Sequence, residues 1–453
     1  MLVSVGPTIT CYGGVGEIGG NKILVRDRDT KVFLDFGTGF TEGADFFAAG
    51  ITPRRVNGAG DLFEFGLLPE IPGLYSEEAL QNTKLKPTSP QVDGILLSHY
   101  HSDHMGRIGY VDPRIPVYCG ETTKLIHEAM SNASGSPLDG HDVRTFRTGD
   151  RFKVGTIDVQ PVHVDHSIPG AYGFILHCSE GAVAYTGDFR FHGPKPSLTS
   201  DFVEAARSAK PAALVTEGTR VSKSDVRREL SEESVLTETI ETIGNRKKFV
   251  FSSFRGNDVD RINTFHQAAA ATGRQLVVSM KSAAILNALA KDKGIRVPRP
   301  GKDVLVYVRR KGSGKGDDKD YYKWERPFLD RGIAAPEVNR RQSELFLHLD
   351  IWNFPEIIDI RPDRGGIYIH SSSEAFNEEG EQEEEVVKNW TGHMGFSYHQ
   401  IHASGHAPIS GVRSLVEGIG AEKVLPVHTE SPGLFRDFSK KVAPPIKGRP
   451  LRL

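Results

Sequence analysis

Within the six residues 99–104 the chain sets His99, His101, Asp103 and His104 directly after the apolar run GILLS. Residues two apart at the end of an extended segment point the same way, so His99 and His101 share a side, and the turn that follows swings Asp103 and His104 toward a neighbouring position. Imidazole with carboxylate suits zinc or manganese, so the H-x-H-x-D-H spacing predicts a grip on two divalent cations a few ångströms apart. A single histidine here would read as a satisfied core or surface residue. Four candidate ligands crowded after one buried strand do not. The fold must therefore bring an apolar strand end to an open site.

From about residue 8 to 216, short β-branched or aliphatic runs alternate with glycine-containing turns: KILVRD, KVFLDF, GILLSH, PVYCG, IDVQPV, GFILHC, AVAYTGD and AALVTE. Their length and boundaries are those of buried strands, and the helical stretch ETTKLIHEAMSNA between them points to an α/β sandwich rather than an all-β barrel. From 222 to about 398 the texture changes. RELSEESVLTETIETIGNR, VDRINTFHQAAAATG and KSAAILNALAKDKG read as helices, and KKFVFSSF and RQLVVSM as strands, an alternation suited to parallel βαβ units. The tail returns to the first texture with QIHASGHA, SGVRSLVEGIG and KVLPVHTE. Residues 1–222 and 399–453 are thus expected to form one unit, with 223–398 inserted into it.

Two polar segments interrupt the insertion. KGSGKGDDKDYYKWER, 311–326, reads as a flexible loop or hinge, and the acidic NEEGEQEEE, 377–385, as a solvated loop or a helix start. At 453 residues the chain exceeds one ordinary core, and 38% hydrophobic with 25% charged residues is a globular composition. No leader and no apolar run of the ~20 residues a bilayer demands is seen, so a cytoplasmic, non-membrane protein is expected. Cys11, Cys119 and Cys178 are odd in number and widely spaced, which predicts packed core thiols rather than disulfides or a cysteine zinc site. A formal net charge of -2 gives no global attraction to nucleic acid, so any such attraction must be local.

The SHYHSDHMGRIG segment resembles the signature of the metallo-β-lactamase superfamily, and the resemblance implies two further ligands downstream. VHVDHSIPGAYGF offers His166, with His163 as a competitor that the D-H-S-I-P context disfavours, and AVAYTGDFRF offers Asp188 as a carboxylate bridging the cations. Water on such a pair loses a proton near neutral pH and becomes a hydroxide nucleophile.

Later segments narrow the likeness. LVTEGTR with Glu217, IHASGHA with His402, Ser404 and His406, and LPVHTE with His428 look like the three additional motifs of the β-CASP nucleases. CYGGVGEIGGNKILV and VFLDFG, with Asp35, are similar to the ribonuclease J pattern, closer in TEGT, HASGHA and VHTE to the archaeal type. The resemblance implies a metallo-β-lactamase αββα sandwich carrying an inserted α/β β-CASP domain, a parallel sheet flanked by helices. It implies two Zn²⁺, with Mn²⁺ as an alternative, one held by His99, His101, His166 and Asp188 and the other by Asp103, His104, Asp188 and His428. Asp35 would orient a ligand histidine. A histidine at position 428 is associated in that family with RNA, where DNA-acting members carry valine.

The implied activity is hydrolysis of RNA phosphodiester bonds, 5′-to-3′ exonucleolytic with endonuclease action as a second mode, in RNA processing or decay. Asp103, Asp188 and Glu217 serve the reaction centre, and His406 touches the scissile phosphate unless it is a capping or core histidine. His402 and Ser404 would bind the same phosphate. Arg255 and Arg261, with Ser279, Lys281 and Ser282 where a strand gives way to a helix, are candidate contacts to the RNA backbone, against the reading that they are solvated surface residues. HSSSEAF, 370–376, is a candidate source of hydroxyl contacts. Expected partners are single-stranded RNA bearing a 5′-monophosphate and further copies of the chain, as a homodimer or higher homo-oligomer. The rival readings are a thioester or lactone hydrolase on the same cations, and a silent RNA-binding subunit.

Overall fold

A computed structural model describes residues 6–48, 50–225, 227–373 and 378–453. Its strands form three sheets. The first, in spatial order β19-β1-β2-β3-β4-β5-β6, contains β1 (Thr8–Gly13), β2 (Lys22–Asp27), β3 (Thr30–Leu34), β4 (Gly94–Leu96), β5 (Val117–Gly120), β6 (Val143–Phe146) and the last strand, β19 (Leu451–Arg452). The second runs β18-β11-β10-β9-β8-β7, built from β7 (Phe152–Val154), β8 (Ile157–His163), β9 (Tyr172–Cys178), β10 (Gly181–Tyr185), β11 (Ala213–Thr216) and β18 (Lys423–Pro426). The third runs β14-β13-β15-β12-β16-β17, with β12 (Val250–Ser253), β13 (Gln275–Ser279), β14 (Leu305–Tyr307), β15 (Leu345–His348), β16 (Ile367–His370) and β17 (Ser397–Gln400), and every neighbouring pair in it is parallel.

Alternation along the strands stacks the first two sheets. Val32 and Leu34 of β3, Phe174 and Leu176 of β9, and Val183 and Tyr185 of β10 all fall in one buried cluster between the sheets. Their sequence neighbours Phe33, Ile175, Ala182 and Ala184 point to the outer faces, as the two-residue period of a strand requires. Helices Pro196–Ala209 and Ile409–Ile419 cover the outer face of the second sheet through Phe202, Val412 and Leu415. Helix Glu121–Ser134 covers the first through Ile126. This is the αββα sandwich. Its second sheet closes with β18 parallel to β11, although the whole third sheet lies between them in the chain. The third sheet is buried on both faces, with Val250, Phe346 and Ile369 on one and Phe251, Leu347 and Tyr368 on the other, which is why its strands read as continuous apolar runs.

The segment 311–326 is tied down rather than loose. Lys311 Nζ lies 2.8 Å from both carboxylate oxygens of Glu325 and 4.6 Å from the ring centre of Tyr322. The acidic run starts helix Glu378–Met394, with Asn377 outside the described residues. Cys11 and Cys119 are buried free thiols, pushed up to about 12 by burial, and Cys178 is half-buried. Among the described residues no helix is long and apolar enough to cross a membrane.

One buried ionic network joins the third sheet's flank to the sandwich. Glu232 accepts from Arg261 Nη2 at 2.8 Å and lies 3.6 Å from Arg190 Nη1, and all three are buried. Burial would raise the Glu232 pKa, but Arg261 and Arg190 outweigh it and hold the carboxyl down at about 2. Glu232→Ala, which leaves the buried Arg261 guanidinium without its carboxylate partner while Arg190 keeps Asp260 and Asp165, is expected to cost about 3–5 kcal/mol. Urea unfolding followed by tryptophan fluorescence reads that loss as a lowered midpoint, and an unmoved midpoint would remove the network from the account of stability. Because the folded-state pKa is depressed, the contribution is present above the ordinary glutamate range and is lost as pH falls toward 2.

Candidate metal centre

The carboxyl ends of strands from both sandwich sheets converge. After β4 the chain bends at Tyr100, is extended at His101 (φ -104°, ψ 149°) and then turns into the one-turn helix Ser102–Met105, which carries Asp103 and His104. From the second sheet, β8 is followed by His166, β10 by Asp188, β11 by Glu217 and β18 by His428. Close approach demands glycine at two points. A Cβ on Gly37 would lie 1.8 Å from the Asp103 carbonyl oxygen, and one on Gly187, where φ is +57°, would lie 2.9 Å from Ser98 Cβ.

The donor atoms fall into two lobes sharing Asp188. In one, His99 Nε2 and His166 Nε2 lie 3.0 and 3.2 Å from His101 Nδ1, and Asp188 Oδ2 is 3.7 Å from His99 Nε2. In the other, His104 Nε2 is 3.0 Å from Asp188 Oδ2, and His428 Nε2 is 3.0 Å from Asp103 Oδ2 and 3.8 Å from Asp188 Oδ1. Ligand atoms lie inside 4.8 Å of one another within each of three groups, His99 with His101 and His166, Asp103 with His104, Asp188 and His428, and Asp188 with Glu217 and His406.

The opposite ring nitrogens fix which face of each imidazole is bare. His166 Nδ1 donates to the Gly405 carbonyl at 2.6 Å, and His104 Nδ1 donates to Asp35 Oδ2 at 2.7 Å. Ser98 Oγ gives its proton to Asp35 and therefore accepts from His99 Nδ1, 3.0 Å away. Thr219 Oγ1 gives its proton to Glu217 and accepts from His428 Nδ1 at 2.8 Å. Such partners set the tautomer of ligand histidines. The bare Nε2 atoms of His99 and His166 then both face His101 Nδ1, where one N–H could serve only one of them. Their spacing is close to the about 3.3 Å that tetrahedral ligands 2.0–2.1 Å from zinc would show. Asp188 Oδ1 is buried without a hydrogen-bond partner. This donor set fits a divalent metal.

Burial lowers His99 and His166 well below the ordinary histidine range and His101 to about 3, leaving them neutral. Burial would lower His104 and His428 too, but Asp188 and Asp103 outweigh it, with Asp35 adding to His104. His104 is held well above its usual range and His428 at about 9. Below those values each proton must leave before a cation can take its Nε2.

Beside the lobes, His406 Nδ1 donates to Glu217 Oε2 at 2.9 Å and lies 3.7 Å from Asp188 Oδ2. Glu217 Oε1 accepts from the Phe189 amide at 2.8 Å. Ser404 Oγ accepts from the His406 amide at 3.1 Å, so it shapes the turn that presents His406. His402 Nδ1 sits 3.2 Å from Arg261 Nη1 and 3.0 Å from the Ser371 carbonyl. Arg255 is exposed, and its charge adds to the lowering of His101, which places it by the cleft. Lys281 is exposed on the first turn of helix Met280–Leu289.

Two expectations for the substrate face are corrected. Arg261 is buried, with its guanidinium committed to Glu232, the Ser371 hydroxyl and the Ala403 carbonyl. Ser282 is buried as well, its amide donating to Ser279 Oγ at 3.1 Å, which makes Ser279 the helix cap. Of the 370–376 stretch, residues 374–376 lie outside the described residues. The competitor His163 stacks on Tyr172 at 3.9 Å, with its Nδ1 beside Thr148 Oγ1. Sequence reading missed Thr219 and Tyr185; Thr219, a hydroxyl two residues after Glu217, was the available signal.

Zinc titrated into metal-free protein at neutral pH should displace about two protons, from His104 and His428. Calorimetric heats would then differ between buffers of low and high ionisation enthalpy, and affinity would rise as pH climbs toward 9. Heats independent of the buffer would contradict this protonation pattern.

A family profile described as "Beta-lactamase superfamily domain" matches residues 71–246. Among curated proteins, ribonuclease J of Helicobacter pylori (strain J99) is 24% identical over 274 residues, 57% of this chain and 34% of its own length. Ribonuclease J of Pyrococcus abyssi is 26% identical over 317 residues, 66% of this chain and 64% of its own length. The chain thus spans less than two thirds of the length of these relatives. A solved structure described as a protein of unknown function from Enterococcus faecalis V583 shares the fold, with TM-score 0.78 and 22% identity over 99% of this chain and 100% of that one. Residues 71–246 thus match the β-lactamase superfamily domain, and the chain, with its αββα sandwich, is similar to proteins named ribonuclease J.

Proposed function

We propose that the chain is a metal-dependent ribonuclease that hydrolyses RNA phosphodiester bonds, 5′-to-3′ exonucleolytically with internal cleavage as a second mode, in RNA processing or decay. The observation that carries this reading is the pair of donor lobes sharing Asp188 with the Glu217–His406 pair beside it. The curated relatives named ribonuclease J support the choice of RNA. Two divalent cations, zinc by the chemistry of the donors, supply Lewis acidity and a water acidified to near neutrality when bound.

The chain's residues divide the remaining work. His99, His101 and His166 serve one cation, Asp103, His104 and His428 the other, and Asp188 both. Glu217 holds His406 by Nδ1, leaving Nε2 to give a proton to the departing oxygen. Arg255 and Lys281, both exposed, hold backbone phosphate without reading sequence. Residues 223–398 act as an inserted domain that closes one side of the cleft. A silent RNA-binding subunit would have no use for seven converging metal donors.

RNA labelled at a 5′-monophosphate or 5′-triphosphate, incubated with metal-loaded protein, should yield labelled mononucleotides from the monophosphate substrate, and chelation should stop the reaction. RNA left intact by loaded protein would end the proposal. His406→Ala should keep metal content near that of the parent while slowing the chemical step about 10²–10⁴-fold, as for a lost proton donor. Loss of metal in that variant would instead make His406 a ligand. His428→Ala should lose the metal of its own lobe, read by elemental analysis, and with it cleavage.

A further inference from the structure

All strands of the third sheet are parallel, so their amino ends lie together on the edge opposite the metal centre. There, ahead of the adjacent strands β12, β16 and β17, a concavity of about 520 Å³ is lined by Arg246, Lys247, Lys248, Phe396 and Ser397. Glycines shape it. A Cβ on Gly366 would come within 2.6 Å of the Phe396 ring, and one on Gly395 would meet Arg364 Nε at 3.3 Å. Arg364 therefore stands at the rim, where Lys248 Nζ donates to its carbonyl at 3.5 Å.

Beneath the turn that carries the three cations lies Arg274, 7% exposed. Its guanidinium donates to the Arg246 and Lys248 carbonyls at 2.7 Å each and to those of Leu345 and Gln342, while its Nε is buried without a partner. Among the described residues, none of these five cations is paired with a carboxylate. In a chain of net charge -2 this is a concentration of uncompensated positive charge. A buried cation without a counter-ion is costly, and an anion in the concavity would offset it.

We propose that this pocket binds phosphate groups, and that in the context of the ribonuclease reading it anchors RNA backbone outside the catalytic cleft. The strands between the two ends are four residues long, a separation of about 13 Å or more, so one phosphate cannot occupy both places. The same chemistry would accept free inorganic phosphate or pyrophosphate.

The test compares the parent with the variant carrying Arg246→Ala, Lys247→Ala and Lys248→Ala, all exposed positions. A second variant, Lys247→Glu, changes one charge only. Binding of long fluorescein-labelled oligo(A) is followed against salt in chelator, and binding of pyrophosphate by calorimetry. The triple variant should flatten the log–log salt slope by about 2, at roughly 0.7 per single-strand phosphate contact, and raise KM for long oligo(A) more than for a trinucleotide. Lost pyrophosphate binding with an unchanged oligo(A) slope would assign the pocket to a free phosphate ligand. Unchanged slope, KM and pyrophosphate binding would overturn the proposal. The binding measurements do not depend on turnover, so a parent that fails to cut RNA would sink the ribonuclease reading separately.

Discussion

The carboxylate of Asp35 is the knot on which the metal centre depends. It accepts from the Ser98 amide, the Ser98 hydroxyl, the Tyr185 hydroxyl and His104 Nδ1, at 2.6–2.8 Å. Asp35 follows β3 and Ser98 follows β4 in the first sheet, while Tyr185 ends β10 in the second, so one buried group ties the two layers at the place where their strand ends converge. It also sets chemistry in both lobes: directly it fixes the proton on His104, and through the Ser98 hydroxyl it fixes that on His99. Asn21 Nδ2, donating to Tyr185 at 2.9 Å, extends the chain of bonds to the glycine-rich loop after β1. Because Asp35, Ser98, Tyr185 and His104 are all buried, each of these partners is needed: a buried polar group left alone costs about 1–3 kcal/mol.

A second buried network does for position what the first does for protonation. Arg190, two residues after Asp188, donates to Asp260 at 2.7 Å and lies 3.4–3.5 Å from the carbonyls of Ser404 and His166. Arg261 reaches the Ala403 carbonyl, and Glu232 joins the two arginines. The loops that present His166 and His406 are therefore held partly by residues of the inserted segment. Buried ion pairs add little net stability over apolar packing, but a mispaired arrangement is heavily penalised. Specifying one relative placement of cleft and third sheet is what such a network does well.

How far the sequence was legible follows from this division. The candidate metal donors were readable because each follows an apolar strand run, and strand ends gather side chains from distant parts of the chain; His428 and His99 come to one region for that reason. The cations were harder. Arg261 was expected at the surface, yet it shares helical spacing with Phe265 and Ala268, both buried, so the three-to-four period already placed it inward. Ser282 lies in the same relation to Ile285, Leu286 and Leu289, whereas Lys281 stands off that stripe. Asp35 drew attention through its motif, but its four partners come from three segments, and no local pattern encodes that convergence. Thr219 escaped because a threonine after a glutamate has many ordinary explanations.

Composition also hid how a chain of net charge -2 could hold a polyanion. At physiological salt, exposed charges farther apart than about 8 Å are largely screened, so the total matters less than which cations stand together. One set stands together before β12, β16 and β17, while Arg255 and Lys281 are exposed singly after β12 and β13 at the opposite edge. The parallel sheet separates them by the length of its strands, while the acidic run at the start of helix Glu378–Met394 is a further separate feature of the same segment. Attraction confined to separate places on one sheet would guide a polyanion along a path rather than draw it to the whole surface, which is how the proposed RNA substrate could be held despite the net charge.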